Sequence, residues 1–261
     1  MCATCGCGVD HDHDHPDDHH HDHHHHHHHS DHAETRTLRL ERDLLARNDA
    51  IAADNRALAT ARELAIFNFI GSPGAGKTAL LEAVIRRLEG TLSSSVLEGD
   101  QATDRDKRRI EAAGGRAHQI NTGRGCHLDA KMVAAGIRSL DPSRKSCVFV
   151  ENVGNLVCPA LFDIGEHAKI VVMSVTEGED KPLKYPHVFR AADLFVLTKI
   201  DLAAVTPFDE TSCRTWAHDV NPRIRILPVS ARSGAGVDDV CSWLLRRSHA
   251  AFRTQPREVH P

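Results

Sequence analysis

Residues 71–78 read GSPGAGKT, the spacing of a phosphate-binding loop. In such a loop Gly71, Ser72, Pro73, Gly74, Ala75 and Gly76 turn backbone N–H groups inward around phosphate oxygens. The positive end of the helix that follows adds favourable charge. Lys77 is then placed to reach the β- and γ-phosphate oxygens, and Thr78 to bind Mg²⁺. The apolar run 66–70 before the loop and the helical pattern after it supply the strand and helix that this mechanism requires. Asp201, at the end of a later apolar run, addresses the base. A carboxylate there can accept hydrogen bonds from N1–H and the exocyclic amine of guanine. Adenine offers no such pair and would leave the carboxylate unsatisfied, so GTP is expected over ATP.

Residues 198–201, Thr198-Lys199-Ile200-Asp201, resemble the Asn-Lys-x-Asp element of GTPases, with Thr198 at the Asn position. That departure is expected to weaken one polar contact around the base. Ser230 and Ala231 resemble the base-side loop of the same enzymes. Hydrolysis also needs Mg²⁺ ligands and a positioned water, because phosphoryl transfer asks for placement and charge neutralisation rather than a covalent nucleophile. Asp100 and Glu151 each follow a predicted strand, on the edge where open α/β sheets bind ligands. With Lys77 they form the expected catalytic set, Asp100 joining Thr78 as an Mg²⁺ ligand.

Three further features could hold metal. Cys2, Cys5 and Cys7 form a CxxCxC cluster whose thiolates can converge on one ion, with Gly6 permitting the turn and the α-amine as a fourth donor. Thiolate with amine or imidazole suits Ni²⁺ or Zn²⁺, and a planar S/N arrangement favours nickel. A His/Asp tract follows, and the first 32 residues hold fourteen of the 21 histidines, fit for loose binding of several divalent ions. Cys126 and His127 are neighbours able to offer sulfur and nitrogen to one ion, with Cys158 arriving from the loop after Glu151. Cys147, Cys213 and Cys241 have no histidine near in sequence and are expected in the core. His118, His167, His187, His218 and His249 stand alone.

These groups must be positioned by a fold that begins after the tail, because the first thirty-odd residues contain almost nothing apolar. The tail, 1–33, is predicted to be disordered without metal. A helical segment, 34–64, lacks Gly and Pro beyond Thr37. Its Leu44, Ile51 and Leu58 recur every seven residues, predicting a stripe that docks on the domain or on a second copy. The phosphate-loop domain is expected over 65–250, with a flexible end at 251–261. Strands are predicted at 66–70, 95–98, 147–151, 170–175, 194–198 and 224–229, and helices at 78–88, 104–113, 128–140 and 237–247. Near-continuous Val, Ile and Leu strands alternating with helices require a mostly parallel sheet covered on both faces, a three-layer α/β fold. At 261 residues and net charge −4, with basic residues scattered, nothing points to nucleic acid or an anionic membrane. No run approaches the ~20 apolar residues of a membrane span, and the N-terminus lacks a secretory signal, so a cytoplasmic protein is expected.

With these residues assembled, the chain resembles the hydrogenase nickel-incorporation GTPases, the HypB family, within the P-loop GTPase class that also contains urease nickel chaperones. The resemblance rests on FNFIGSPGAGKT, LEGDQATDRD, QINTGRGCHLDA, FVENVGNLVCPA, SVTEGEDKPLKYP and LTKIDL, in family order, with the CxxCGC start and His-rich tail in support. It implies a P-loop NTPase of the SIMIBI type and a GTP-responsive homodimer that delivers nickel to the large subunit of nickel-iron (NiFe) hydrogenase. A small zinc-containing nickel chaperone is the implied partner. Cys2, Cys5 and Cys7 are implied to be a tight nickel site. Cys126, His127 and Cys158 are implied to bind nickel or zinc, shared across the dimer in one arrangement. Rival readings are a urease-type nickel GTPase and a nickel storage protein whose phosphate loop is only a switch.

Overall fold

The computed structural model describes residues 30–99, 105–123 and 125–253. The chain divides into two units at Leu40, and the sheet, the core and the site residues described below all belong to the second. Helix α1, Ser30–Arg62, is followed by β1, Leu64–Ile70, and α2, Lys77–Leu88. Then come β2, Ser94–Glu98; α3, Arg105–Ala112; β3, Arg116–Gln119; α4, Ala130–Leu140; and β4, Ser146–Glu151. The second half adds α5, Cys158–Leu161; β5, Ala168–Ser174; α6, Lys181–Lys184; α7, Pro186–Ala191; and β6, Leu194–Thr198. It ends with α8, Glu210–Val220; β7, Arg225–Val229; and α9, Val237–Arg253.

The seven strands form one sheet in the order β3-β2-β4-β1-β5-β6-β7, and every pairing is parallel. Each parallel neighbour needs a crossover, which the intervening helices provide on both faces. Along β1 the alternation is strict: Phe67 and Phe69 meet α2, α3 and α9 through Leu80, Leu81, Ile110 and Leu244. Leu64 and Ile66 face the other way, toward Ala59 of α1 and Val133 and Ile137 of α4. A third cluster joins β5 and β6 to α7 and α8 through Met173, Phe195, Phe189 and Cys213. Cys147, Cys213 and Cys241 are buried, as a core reading requires. All seven residues of β1 are buried, so the strand reads as continuous rather than alternating hydrophobicity.

Three features differ from the sequence expectation. Strand β3, Arg-Ala-His-Gln, is polar and half exposed because it is an edge strand, and no apolar run marks it. Helix α8 and the short α5, α6 and α7 also went unmarked. The leucine stripe of α1 meets the domain only in part: Leu58 packs against the core, Ile51 is half-buried and Leu44 is 62% exposed, whereas Asn48, Ala52, Asn55 and Ala59 are buried. Small side chains let the helix come close to Gly165, where an added Cβ would lie 2.6 Å from Asn55 Cβ and 2.7 Å from the Ala52 carbonyl oxygen. Among the described residues no helix is long and apolar enough to cross a membrane.

Candidate functional site

The phosphate loop leaves the buried end of β1 and enters α2 at Lys77. Gly71 has no room for a side chain, since a Cβ would collide with the Val172 carbonyl of the neighbouring strand. Gly74 and Gly76 take left-handed φ of 76° and 90°, which favour glycine. Lys77 Nζ donates to the carbonyls of Gly71, at 3.0 Å, and Ser72, at 3.1 Å, so its ammonium lies inside the loop. Pro73 packs on Gly154, whose added Cβ would be 2.9 Å from Pro73 Cγ. Thr78 Oγ1 donates to Glu151 Oε1 at 2.7 Å. Burial pushes the Glu151 carboxyl up to about 6, opposed by that hydrogen bond and by Lys77. Its second oxygen, Oε2, is buried and accepts no hydrogen bond among the described residues.

A cavity of 460 Å³ opens over this loop, lined among others by Lys77, Thr78, Glu98, Asp106, Glu151 and Asn152. Asp106 escaped the sequence reading. It sits in the first turn of α3 and pairs with Arg109 at 2.8 Å, which in turn grips Glu82 at 2.7 Å. Its signal was present in a stretch of acids after β2, but only the fold places Asp106 in the cavity wall. Asp100 lies outside the described residues.

At the base end, β6 and β7 finish on the same sheet edge as the phosphate loop. Thr198 is buried, and its hydroxyl donates to the Ala75 carbonyl at 2.6 Å, with Met173 O 3.2 Å away. It therefore ties the end of β6 to the phosphate loop. Lys199, at φ 58°, adds a second tie, its Nζ donating to Gly74 O at 2.8 Å. Asp201 is exposed in the 3-10 turn Ile200–Val205, free to face a base. Ser230 is buried, accepting at Oγ from Ser233 N and donating its own N–H to Ala235 O, and Ala231 is partly exposed beside it.

The internal sulfur and nitrogen donors converge. Ligand atoms of Cys126, His127 and Cys158 all lie within 4.8 Å of one another. Phe162 stacks on the His127 ring with centroids 3.9 Å apart. Burial holds the His127 imidazole below its ordinary value, favouring the neutral form that a metal needs. Two thiols and an imidazole are a donor set for Ni²⁺ or Zn²⁺. Helix α1 clamps both loops of this cluster. Asn55 Nδ2 donates to Ala130 O and Ile164 O, Asn48 Nδ2 donates to Asp163 O, and Asn48 Oδ1 accepts from Ala130 N. Cys2, Cys5, Cys7 and the His/Asp tract up to His29 lie outside the described residues.

Residues 65–228 match the family described as CobW/HypB/UreG, nucleotide-binding domain. The hydrogenase maturation factor HypB of Rhizobium leguminosarum bv. viciae is 52% identical over 212 residues, covering 81% of this chain and 71% of the relative. This chain belongs to the HypB family of hydrogenase maturation factors. HypB of Azotobacter vinelandii is 49% identical, covering 85% of this chain and 74% of its own. The crystal structure of HypB from Helicobacter pylori in complex with nickel superposes with a TM-score of 0.74 at 33% identity, covering 82% of this chain and 99% of that one. The fold is therefore the three-layer P-loop α/β fold of HypB. Within it the eight residues from Glu151 to Cys158 reach from the phosphate cavity to the sulfur and nitrogen donors.

Proposed function

We propose that this HypB-family chain is a GTP-hydrolysing nickel metallochaperone that delivers nickel to the large subunit of nickel-iron hydrogenase. One observation carries the proposal: segment 151–158 begins at Glu151, bonded to Thr78 of the phosphate loop, and ends at Cys158 beside Cys126 and His127. A change at the phosphates thus has a short covalent route to a thiol that can hold the cargo. The nickel-bound Helicobacter pylori structure supports nickel as that cargo.

Asp201 selects guanine, with Ser230 and Ala231 behind the base. Lys77 neutralises charge on the β- and γ-phosphate oxygens, and Glu151, with Asp100, positions the attacking water. The lone buried Glu151 Oε2 and the Thr78 hydroxyl fit a divalent cation, and Mg²⁺ bound there would neutralise phosphate charge. Zn²⁺ fits the same two thiols and imidazole as nickel. Cys2, Cys5 and Cys7 form a tighter nickel site, and the His/Asp tract a reserve. The working unit is a GTP-responsive homodimer in the cytoplasm, served by a small zinc-containing nickel chaperone.

Two measurements on the full chain test this. GTP turnover should disappear in Lys77→Ala while nickel binding persists; equal turnover in both forms would remove the phosphate loop from the reaction. A storage protein would hydrolyse nothing in either. Hydrogenase activity in cells lacking this protein should return with the intact chain and not with Lys77→Ala.

A further inference from the structure

The middle of β1 holds one polar residue in an otherwise apolar strand, Asn68, with no exposure at all. A buried amide is tolerated only where its hydrogen bonds are met. Asn68 Oδ1 accepts from Asn152 Nδ2 at 3.2 Å, and Asn68 Nδ2 lies 3.4 Å from Glu166 Oε1. Asn152 is 1% exposed in the wall of the phosphate cavity, and its Oδ1 accepts from Leu128 N at 2.9 Å, the amide that follows His127. Glu166 Oε2 accepts from Ile164 N at 2.8 Å, two residues beyond the Phe162 ring that covers His127.

From these contacts we infer that Asn152 and Asn68 form a buried amide relay through which the phosphate cavity sets the geometry of the Cys126/His127/Cys158 cluster. The inference rests on the nucleotide-controlled nickel holding proposed above and names the residues that transmit it. Nucleotide and cation arriving at Thr78 compete for the Glu151 carboxylate, which moves residue 151 and its neighbour Asn152. Asn152 holds the Leu128 amide directly, and through Asn68 and Glu166 it also holds the Ile164 amide. Both loops that carry the cluster therefore shift together. Among the described residues the side-chain hydrogen bonds of Asn68 go to Asn152 and Glu166 rather than to the donor set or the phosphate loop, so it is a positioning residue.

The test uses the full chain with Cys2→Ser, Cys5→Ser and Cys7→Ser, so that thiolate-to-nickel absorbance reports the internal cysteines. Nickel affinity is compared between the GDP form and a form holding a non-hydrolysable GTP analogue. In this parent the two affinities should differ by roughly 5- to 150-fold. In Asn68→Leu the ratio should fall to within about twofold of one, while Cys158→Ser abolishes the signal. A full ratio in a folded Asn68→Leu overturns the relay. A parent ratio of one overturns the nucleotide-controlled holding itself, and the relay with it. Hydrogen exchange at the Leu128 amide of the parent needs no relay variant: its protection should change between the two nucleotide forms. Unchanged protection alongside a shifted nickel affinity sinks the relay alone.

Discussion

The proposed guanine selection and phosphate chemistry would rest on two carboxylates in opposite surroundings. Asp201 is exposed, so the carboxylate proposed to bind guanine is open to two donors. Converting it to an amide turns one acceptor into a donor, so Asp201→Asn should weaken GTP by about 3 kcal/mol, roughly 100-fold. Xanthosine triphosphate, with a carbonyl where guanine has its amine, should gain; competition binding with the two nucleotides reads both. Glu151 is buried, and its carboxyl is raised from 4.5 to about 6. Between these values the folded protein holds a proton that the unfolded chain has released, so ionisation destabilises the fold as pH rises through that window. Glu151→Gln keeps the acceptor for Thr78 without the charge. Free of nucleotide and Mg²⁺, the variant should therefore be more stable at pH 7.5 by about 2 kcal/mol, on the order of the shift. Urea denaturation at pH 4.5 and 7.5 should show the gain only at the higher pH, and GTP turnover should fall. A carboxylate kept at a stability cost fits the role proposed for Glu151.

Helix α1 is held by buried amides as well as by Leu58 and Ala59, which pack on the core. Asn55 donates to two buried carbonyls, Ala130 O and Ile164 O. Asn55→Ala leaves both without that donor and should cost about 1–3 kcal/mol. Arg56 makes a two-pronged pair with Asp163 at 2.8 and 2.7 Å, yet its side chain is 45% exposed, so Arg56→Ala should cost under about 1 kcal/mol. Chemical denaturation should rank the two variants in that order, and the reverse order would show that the ion pair docks the helix. The leucine stripe marked the docking face only in part, because Leu58 packs on the core while the fully buried positions of the helix are Asn and Ala. Asn48, Ala52, Asn55 and Ala59 have helical spacing, but two are amides and two are alanines, too small to read as an apolar stripe. Only the neighbouring Gly165, with no Cβ to hold the helix off, explains their size.

For the molecule as a whole, ligand binding and folding are linked. At 100 times its dissociation constant, GTP with Mg²⁺ should add about 2.7 kcal/mol to stability. In a domain of this size that amounts to roughly 5–10 °C in melting temperature. Thermal unfolding should show the rise in the intact chain and little in Lys77→Ala. The phosphate loop and the parallel α/β sheet were legible from sequence because each is a local pattern. Glycines beside a lysine and Val/Ile/Leu strands between helices need no distant partner to be recognised. Other features needed the assembled chain. Thr78 meets Glu151 across 73 positions, Asn152 meets Asn68 across 84, and Asn48 meets Asp163 across 115. Strand β3 and the place of Asp106 in the cavity wall likewise follow from position in the fold rather than residue type. Sequence alone determined which chemical groups this chain possesses and that it builds a phosphate-binding sheet edge. The order β2-β4-β1, set by how the crossovers pack, decided which of those groups touch. Side chains far apart in the chain become neighbours only when parallel strands bring their carboxyl ends to one edge.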